Sequence, residues 1–216
     1  MTQKKKTALY VWLGIIIALV ILFLTQCVFV PRCSHERIRE NGETYEVYDG
    51  IRYQTLKDDT AWRVDYAAFT EKIGCGMLAC PTDPNRTVLV YESVGCASMG
   101  MLPLIRADRD LPEPGKTPLI KMESSSRIYG DHEITDPQTL EKLSAEFAGI
   151  FSQPVTETSF KEYSGIQTKL YFEGYPQLYL SMPVVLNYPN IYVQYEGQWY
   201  ATQSMLLEKA VKEGHV

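Results

Sequence analysis

From Thr7 to Val30 the chain runs 24 residues without one charged side chain, directly after Lys4, Lys5 and Lys6. Its centre, Leu13 to Leu24, carries no polar side chain. At about 1.5 Å per residue a helix of this length reaches roughly 36 Å, enough for a hydrocarbon core of about 30 Å. The sequence therefore predicts a transmembrane helix over 7–30, preceded by a cytoplasmic N-terminus over 1–6. A cleaved signal peptide is one alternative, but the run is long and lacks an A-x-A pattern near its end. A lipoprotein signal cut before Cys27 is another, with Gln26 standing where a small residue is usual.

Orientation is less constrained than span. Lys4, Lys5 and Lys6 before the run match Arg32, Arg37 and Arg39 after it in number. The lysines are contiguous, whereas Glu36 and Glu40 dilute the arginines. Beyond Cys27 there are four cysteines, Cys33, Cys75, Cys80 and Cys96, an even number that suits an oxidising compartment. The expectation is a single-pass protein of the cell membrane with its C-terminal domain extracytoplasmic.

Everything after residue 30 carries 18 basic and all 26 acidic residues, a formal charge of −8. Such a domain is a poor match for nucleic acid, which demands clustered Lys and Arg. Residues 31–43 read as a polar juxtamembrane connector and 44–216 as the folded domain, with candidate sub-domains 44–125 and 126–216 divided near Ser124-Ser-Ser126.

Hydrophobic alternation and turn residues outline the elements. Tyr45–Tyr48 and Ile51–Leu56 flank Asp49-Gly50, a hairpin signal. Strands are also expected over Ala61–Val64, Arg86–Glu92, Leu102–Ala107 and Leu119–Met122. Asp65 is placed as the cap of a short helix whose Tyr66, Phe69 and Ile73 share a face, ended by Gly74. Asp136-Pro137 opens a helix carrying Leu140, Leu143, Phe147 and Ile150 at helical spacing. Strands follow at Ile166–Glu173, Gln177–Val184, Asn190–Tyr195 and Gln198–Ala201, then a helix from Ser204 to about Lys212. Both halves thus contain strands and an amphipathic helix, which points to an α+β fold: antiparallel sheets with helices packed on one face.

Few residues suggest chemistry. Cys75 and Cys80 are separated by four residues, unlike redox or zinc pairs. Disulfides are expected instead; three pairings are open, with Cys75–Cys80 and Cys33–Cys96 favoured. Asp131, His132 and Glu133, with Asp136 nearby, are the densest group of acid–base or ligand side chains, and Asp131 and His132 are placed in a strand-to-helix turn. Asp136 is already accounted for as a helix cap, and no metal or cofactor is assigned. Asp108 and Asp110 are neutralised by adjacent arginines. The chain has no G-x-S-x-G elbow, H-E-x-x-H helix or lysine-bearing phosphate loop. Asn85-Arg-Thr87 is a glycosylation sequon. Among the aromatics, Tyr171, Tyr179 and Tyr192 fall on the strand face opposite the core, where three rings would offer a platform for a ligand or partner.

Two segments, Ile134-Thr-Asp-Pro-Gln-Thr-Leu140-Glu-Lys-Leu143 and Ile191-Tyr-Val-Gln-Tyr-Glu-Gly-Gln-Trp-Tyr200, resemble a pattern in membrane-anchored and lipoprotein-type extracytoplasmic proteins of Gram-positive bacteria. The resemblance implies location and brings no catalytic residues. The functional expectation is a membrane-anchored binding module whose partner is a protein, a cell-wall component or a small ligand at the outer membrane face. The competing reading is an extracytoplasmic hydrolase or metal-dependent enzyme using Asp131, His132 and Glu133.

Overall fold

A computed structural model describes residues 12, 14–18, 36–57, 60–74, 76–95, 98–152, 154, 155 and 165–214. The chain begins with strands β1 (Glu36–Glu40), β2 (Glu43–Tyr48), β3 (Ile51–Thr55) and β4 (Trp62–Val64). A 3-10 turn at Tyr66–Ala68 leads to β5 (Glu71–Gly74), β6 (Met77–Ala79), β7 (Val88–Gly95) and β8 (Ser98–Arg106). Next come β9 (Leu119–Ser126), β10 (Gly130–Ile134) and helix α1 (Pro137–Ile150). The chain continues through β11 (Ile166–Phe172), β12 (Tyr175–Asn187), β13 (Asn190–Tyr195), β14 (Gln198–Thr202) and α2 (Met205–Glu213).

All strand pairs are antiparallel. Sheet one has the order β1-β2-β3-β8-β7-β6-β5; sheet two runs β10-β9-β11-β12-β13-β14. The long β12 pairs with β11 on one side and shares its other side between β4, at Leu178–Leu180, and β13, at Val184–Asn187. The outer side of β14 is taken by residues 154 and 155, through a bridge between Pro154 and Tyr200 and a bond from Val155 N–H to the Trp199 carbonyl.

Period-two alternation explains where the core sits. Along β7, Val88 and Val90 enter the main core with Leu78, Cys80 and Ile105, whereas Leu89 points the other way. There it joins Tyr53, Met77, Ala79 and Leu104 in a second cluster, so sheet one is packed on both faces. Burial pushes the Tyr53 phenol up to about 12, and its hydroxyl donates to the Arg86 carbonyl at 3.0 Å. The inner face of sheet two supplies Leu170, Phe172, Leu178, Leu180, Met182, Val184 and Val193 to the main core. Trp62 closes against Phe172 with ring centroids 5.5 Å apart.

Both helices cover this inner face. Asp136 caps α1 by accepting from Thr139 N–H at 2.8 Å, and Leu140, Leu143, Phe147 and Ile150 turn inward. Ser204 caps α2 through Leu207 N–H, and Gly214 ends it at φ 68°, the left-handed conformation that glycine adopts without a Cβ clash.

Several expectations are corrected. Strand occupies 52% of the described residues against 19% helix, so the molecule is predominantly antiparallel β rather than α+β. The helix expected after Asp65 is one 3-10 turn, and Ile73 lies in β5; the spacing of Tyr66, Phe69 and Ile73 is a strand-and-turn coincidence. Residues 36–40, read as connector, form β1. No helix among the described residues is long and apolar enough to cross a membrane, so the span over 7–30, and the single-pass location built on it, are not upheld. Of that stretch, only Trp12 and residues 14–18 are described, as helix. Cys80 is a buried free thiol in the main core, 3.0 Å from the Thr82 hydroxyl, which removes the Cys75–Cys80 staple. Cys27, Cys33, Cys75 and Cys96 lie outside the described residues.

Candidate functional site

The face of sheet two turned away from the helices carries the densest polar arrangement. Alternation places Lys121, Glu123 and Ser125 of β9 on this face, with Asp131 and Glu133 of β10, Gln167, Lys169 and Tyr171 of β11, and Tyr179 of β12. Register then fixes the neighbours. Glu123 stands between Glu133 and Lys169, Ser125 between Asp131 and Gln167, and Tyr171 between Lys121 and Tyr179.

Contacts follow from that register. Glu123 pairs with Lys121 at 2.6 Å and with Lys169 at 3.1 Å, and accepts the Tyr171 hydroxyl at 3.2 Å. The Tyr171 and Tyr179 rings lie 5.5 Å apart. Lys121 Nζ sits 4.1 Å from the Tyr171 ring centroid and Lys169 Nζ 5.2 Å from that of Tyr179, within cation–π range. Ser125 donates to Asp131 at 2.6 Å, and Glu133 lies 4.0 Å from Lys121.

This network shifts its own ionisation. Burial works to raise Glu123, but the hydrogen bonds and charges of the two lysines win and hold it below its usual value. Burial likewise opposes the Lys169 ammonium, and its bond to Glu123 outweighs that and raises it. Tyr171 is raised by burial first and by the neighbouring Glu123 charge second. At neutral pH the face therefore holds charged Glu123 and Lys169 beside a neutral phenol.

A recess of about 380 Å³ opens on this face, lined by Glu123, Ser125, Asp131, Glu133, Gln167 and Lys169 among others. A larger groove of about 520 Å³ lies between α1 and the 115–120 segment. Pro118, Leu119, Ile120, Pro137 and Leu140 line much of it, and its one lysine, Lys116, is paired with Glu113. The groove offers volume with little directional chemistry; the recess offers fixed polar groups.

The three tyrosines do not form a platform. Tyr171 and Tyr179 are neighbours, but Tyr171 is only 3% exposed, roofed by its partners. Tyr192 shares the face and is buried opposite Val185 and Ala201, about 20 Å along β12 from Tyr179 at 3.3 Å per residue.

Asp131, His132 and Glu133 do not converge either. They lie in strand β10 rather than a turn, so His132 points to the helix side while the two acids point outward. A Cβ on Gly214 would lie 2.8 Å from the Cβ of His132, which places the imidazole against the end of α2. Its Nε2 is buried without a hydrogen-bond partner among the described residues, as is the hydroxyl of Ser124 opposite. Asp108 is engaged by Arg106, at 2.6 and 2.9 Å. The Asp110 carbonyl accepts the Tyr175 hydroxyl. Thr87 of the sequon is buried and its backbone N–H is bonded to Asp83 at 2.7 Å. Among the described residues, no group of three or more His, Cys, Asp or Glu side chains is placed to hold a metal ion.

Of the residues lining the recess, Asp131, His132 and Glu133 are among the sequence candidates, whereas Glu123, Ser125, Gln167 and Lys169 are absent from them. Their signal was the polar alternation Lys121-x-Glu123-x-Ser125 and Gln167-x-Lys169, visible only once both segments are known to be adjacent strands. No family model, curated protein or solved structure matches this chain.

Proposed function

We propose that this chain is a recognition module that binds a cationic, donor-rich ligand in the recess on the polar face of sheet two. One observation carries the reading: two carboxylates, Asp131 and Glu133, line the recess with the Gln167 amide, while the third, Glu123, is taken up by Lys121 and Lys169 and neutralises the recess lysine. Ammonium and guanidinium groups meet such carboxylates through charge-assisted hydrogen bonds. Glu123 is held by two lysines and a phenol and Asp131 by Ser125, so little side-chain freedom remains to be lost on binding. The hydrolytic reading over Asp131, His132 and Glu133 is the less favoured one: His132 borders the recess, but its ring turns toward the end of α2 and away from the two acids.

Titration calorimetry with arginine amide and lysine amide, against acetylglycine amide as a neutral control, tests the proposal. Binding of the cationic probes that weakens at least tenfold in Asp131→Asn/Glu133→Gln supports it. Equal response to all three probes, or none at millimolar concentration, rejects it.

A further inference from the structure

Among the described residues, two of the sheet edges carry charges that match each other. The outer side of β14 is occupied by residues 154 and 155, and the Ile73 carbonyl of the edge strand β5 accepts the Tyr48 hydroxyl. β1 pairs only with β2, and β10 only with β9. Each therefore turns alternate backbone N–H and C=O groups outward, a template for another strand. Both are five residues long.

We propose that β1 of one copy of this chain adds to β10 of a second copy, antiparallel, joining molecules head to tail. With Ile38 opposite His132, Arg37 falls opposite Glu133 and Arg39 opposite Asp131. Opposite charges directly across a strand pair stabilise it; like charges destabilise it. The same rule forbids each edge from pairing with its own copy. Two β10 strands centred on His132 set Asp131 against Glu133, and two β1 strands centred on Ile38 set Arg37 against Arg39 and Glu36 against Glu40. The arginines remain available: Arg37, although paired with Glu46, keeps 62% of its side chain exposed. Because the two edges differ, the contact is heterologous and extends beyond a dimer unless a ring closes.

Sedimentation velocity of the full-length chain over a concentration series tests this, using Arg39→Glu and Asp131→Lys, which leave the Arg37–Glu46 pair intact. Thermal melts establish that both variants stay folded. The wild type is expected to show an average mass at least about twice that of either variant, falling with added salt. An equimolar mixture of the two variants regains association. In that mixture the unchanged Arg39 of one variant meets the unchanged Asp131 of the other, and the two introduced charges are likewise opposite in sign. The proposal is overturned if either variant associates as the wild type does, or if the mixture stays at the level of the separate variants. Addition of an unrelated peptide at these edges, with no self-association, also overturns it.

Discussion

Gln177 on β12 donates its side-chain amide to the Asp83 carboxylate at 2.7 Å, a buried hydrogen bond that fastens sheet two to the turn before β7. The same carboxylate accepts the backbone N–H groups of Thr87 and Val88, at 2.7 and 3.2 Å. With the Thr87 hydroxyl also donating to it at 3.4 Å, Asp83→Ala would leave four buried donors unpaired, a cost of roughly 3–5 kcal/mol. Gln177→Leu removes one bond and leaves Asp83 those from Thr87 and Val88, three in all, for a cost of about 1–2 kcal/mol. Urea unfolding of both variants checks the ranking, and equal costs would show that the carboxylate is not the shared anchor.

Gly115 meets α1 where nothing larger fits. Its φ is +84°, and a Cβ there would lie 2.4 Å from the Ala148 Cα and 2.5 Å from its nitrogen. Backbone cannot swing aside as a flexible side chain can. Gly115→Ala therefore combines a left-handed conformation with overpacking, and roughly 2–4 kcal/mol of destabilisation is expected. A shift below about 1 kcal/mol in chemical denaturation would mean that the 113–117 loop detaches from the helix at little cost.

The Glu123 network predicts an acid limb in stability. Its carboxylate is held below the ordinary value of 4.5, so it contributes stability present above that value and lost as pH falls through the lower folded value. Melting temperature should decline on acidification below about 4.5, and Glu123→Gln should flatten that part of the profile. A variant profile parallel to the wild type would assign the acid limb to other carboxylates.

Tyrosine titration reads the opposite end of the scale. Tyr53, Tyr171 and Tyr195 are all raised, each by burial first. A raised folded value contributes stability that is complete below the ordinary value of 10.0 and lost as pH rises through the folded one. Phenolate absorbance should therefore rise in two stages, with these three among the 15 tyrosines lagging. Tyr171→Phe should reduce the amplitude of the late stage, to which Tyr175, also raised by burial, adds.

Strong local signals in the sequence located much of the fold. Asp49-Gly50 gives its hairpin, with φ of 52° and 75° at the two turn residues, and Asp136-Pro137 starts α1 where expected. Short strands were the blind spot. Met77-Leu-Ala79 has three residues, too few for any period, and both its faces are buried, so no polar alternation marks it. β10 looked like a polar turn because strand pairing with β9, not its own residues, makes it a strand. Sheet one misled for a related reason: apolar side chains on both faces blur the alternation that identifies a half-buried sheet. The site was legible only in part. Tyr171 and Tyr179 lie on the predicted face, but the charges that define the recess gain meaning from cross-strand register.

Chemical-shift mapping during titration with arginine amide tests the central claim most directly. The account predicts that the largest backbone shifts fall on Asp131, Glu133, Gln167 and Lys169, and diminish together in Asp131→Asn/Glu133→Gln. Shifts concentrated instead on Ile120, Leu140 and Ser144, along the apolar groove, or spread evenly over acidic residues of both sheets, would contradict it.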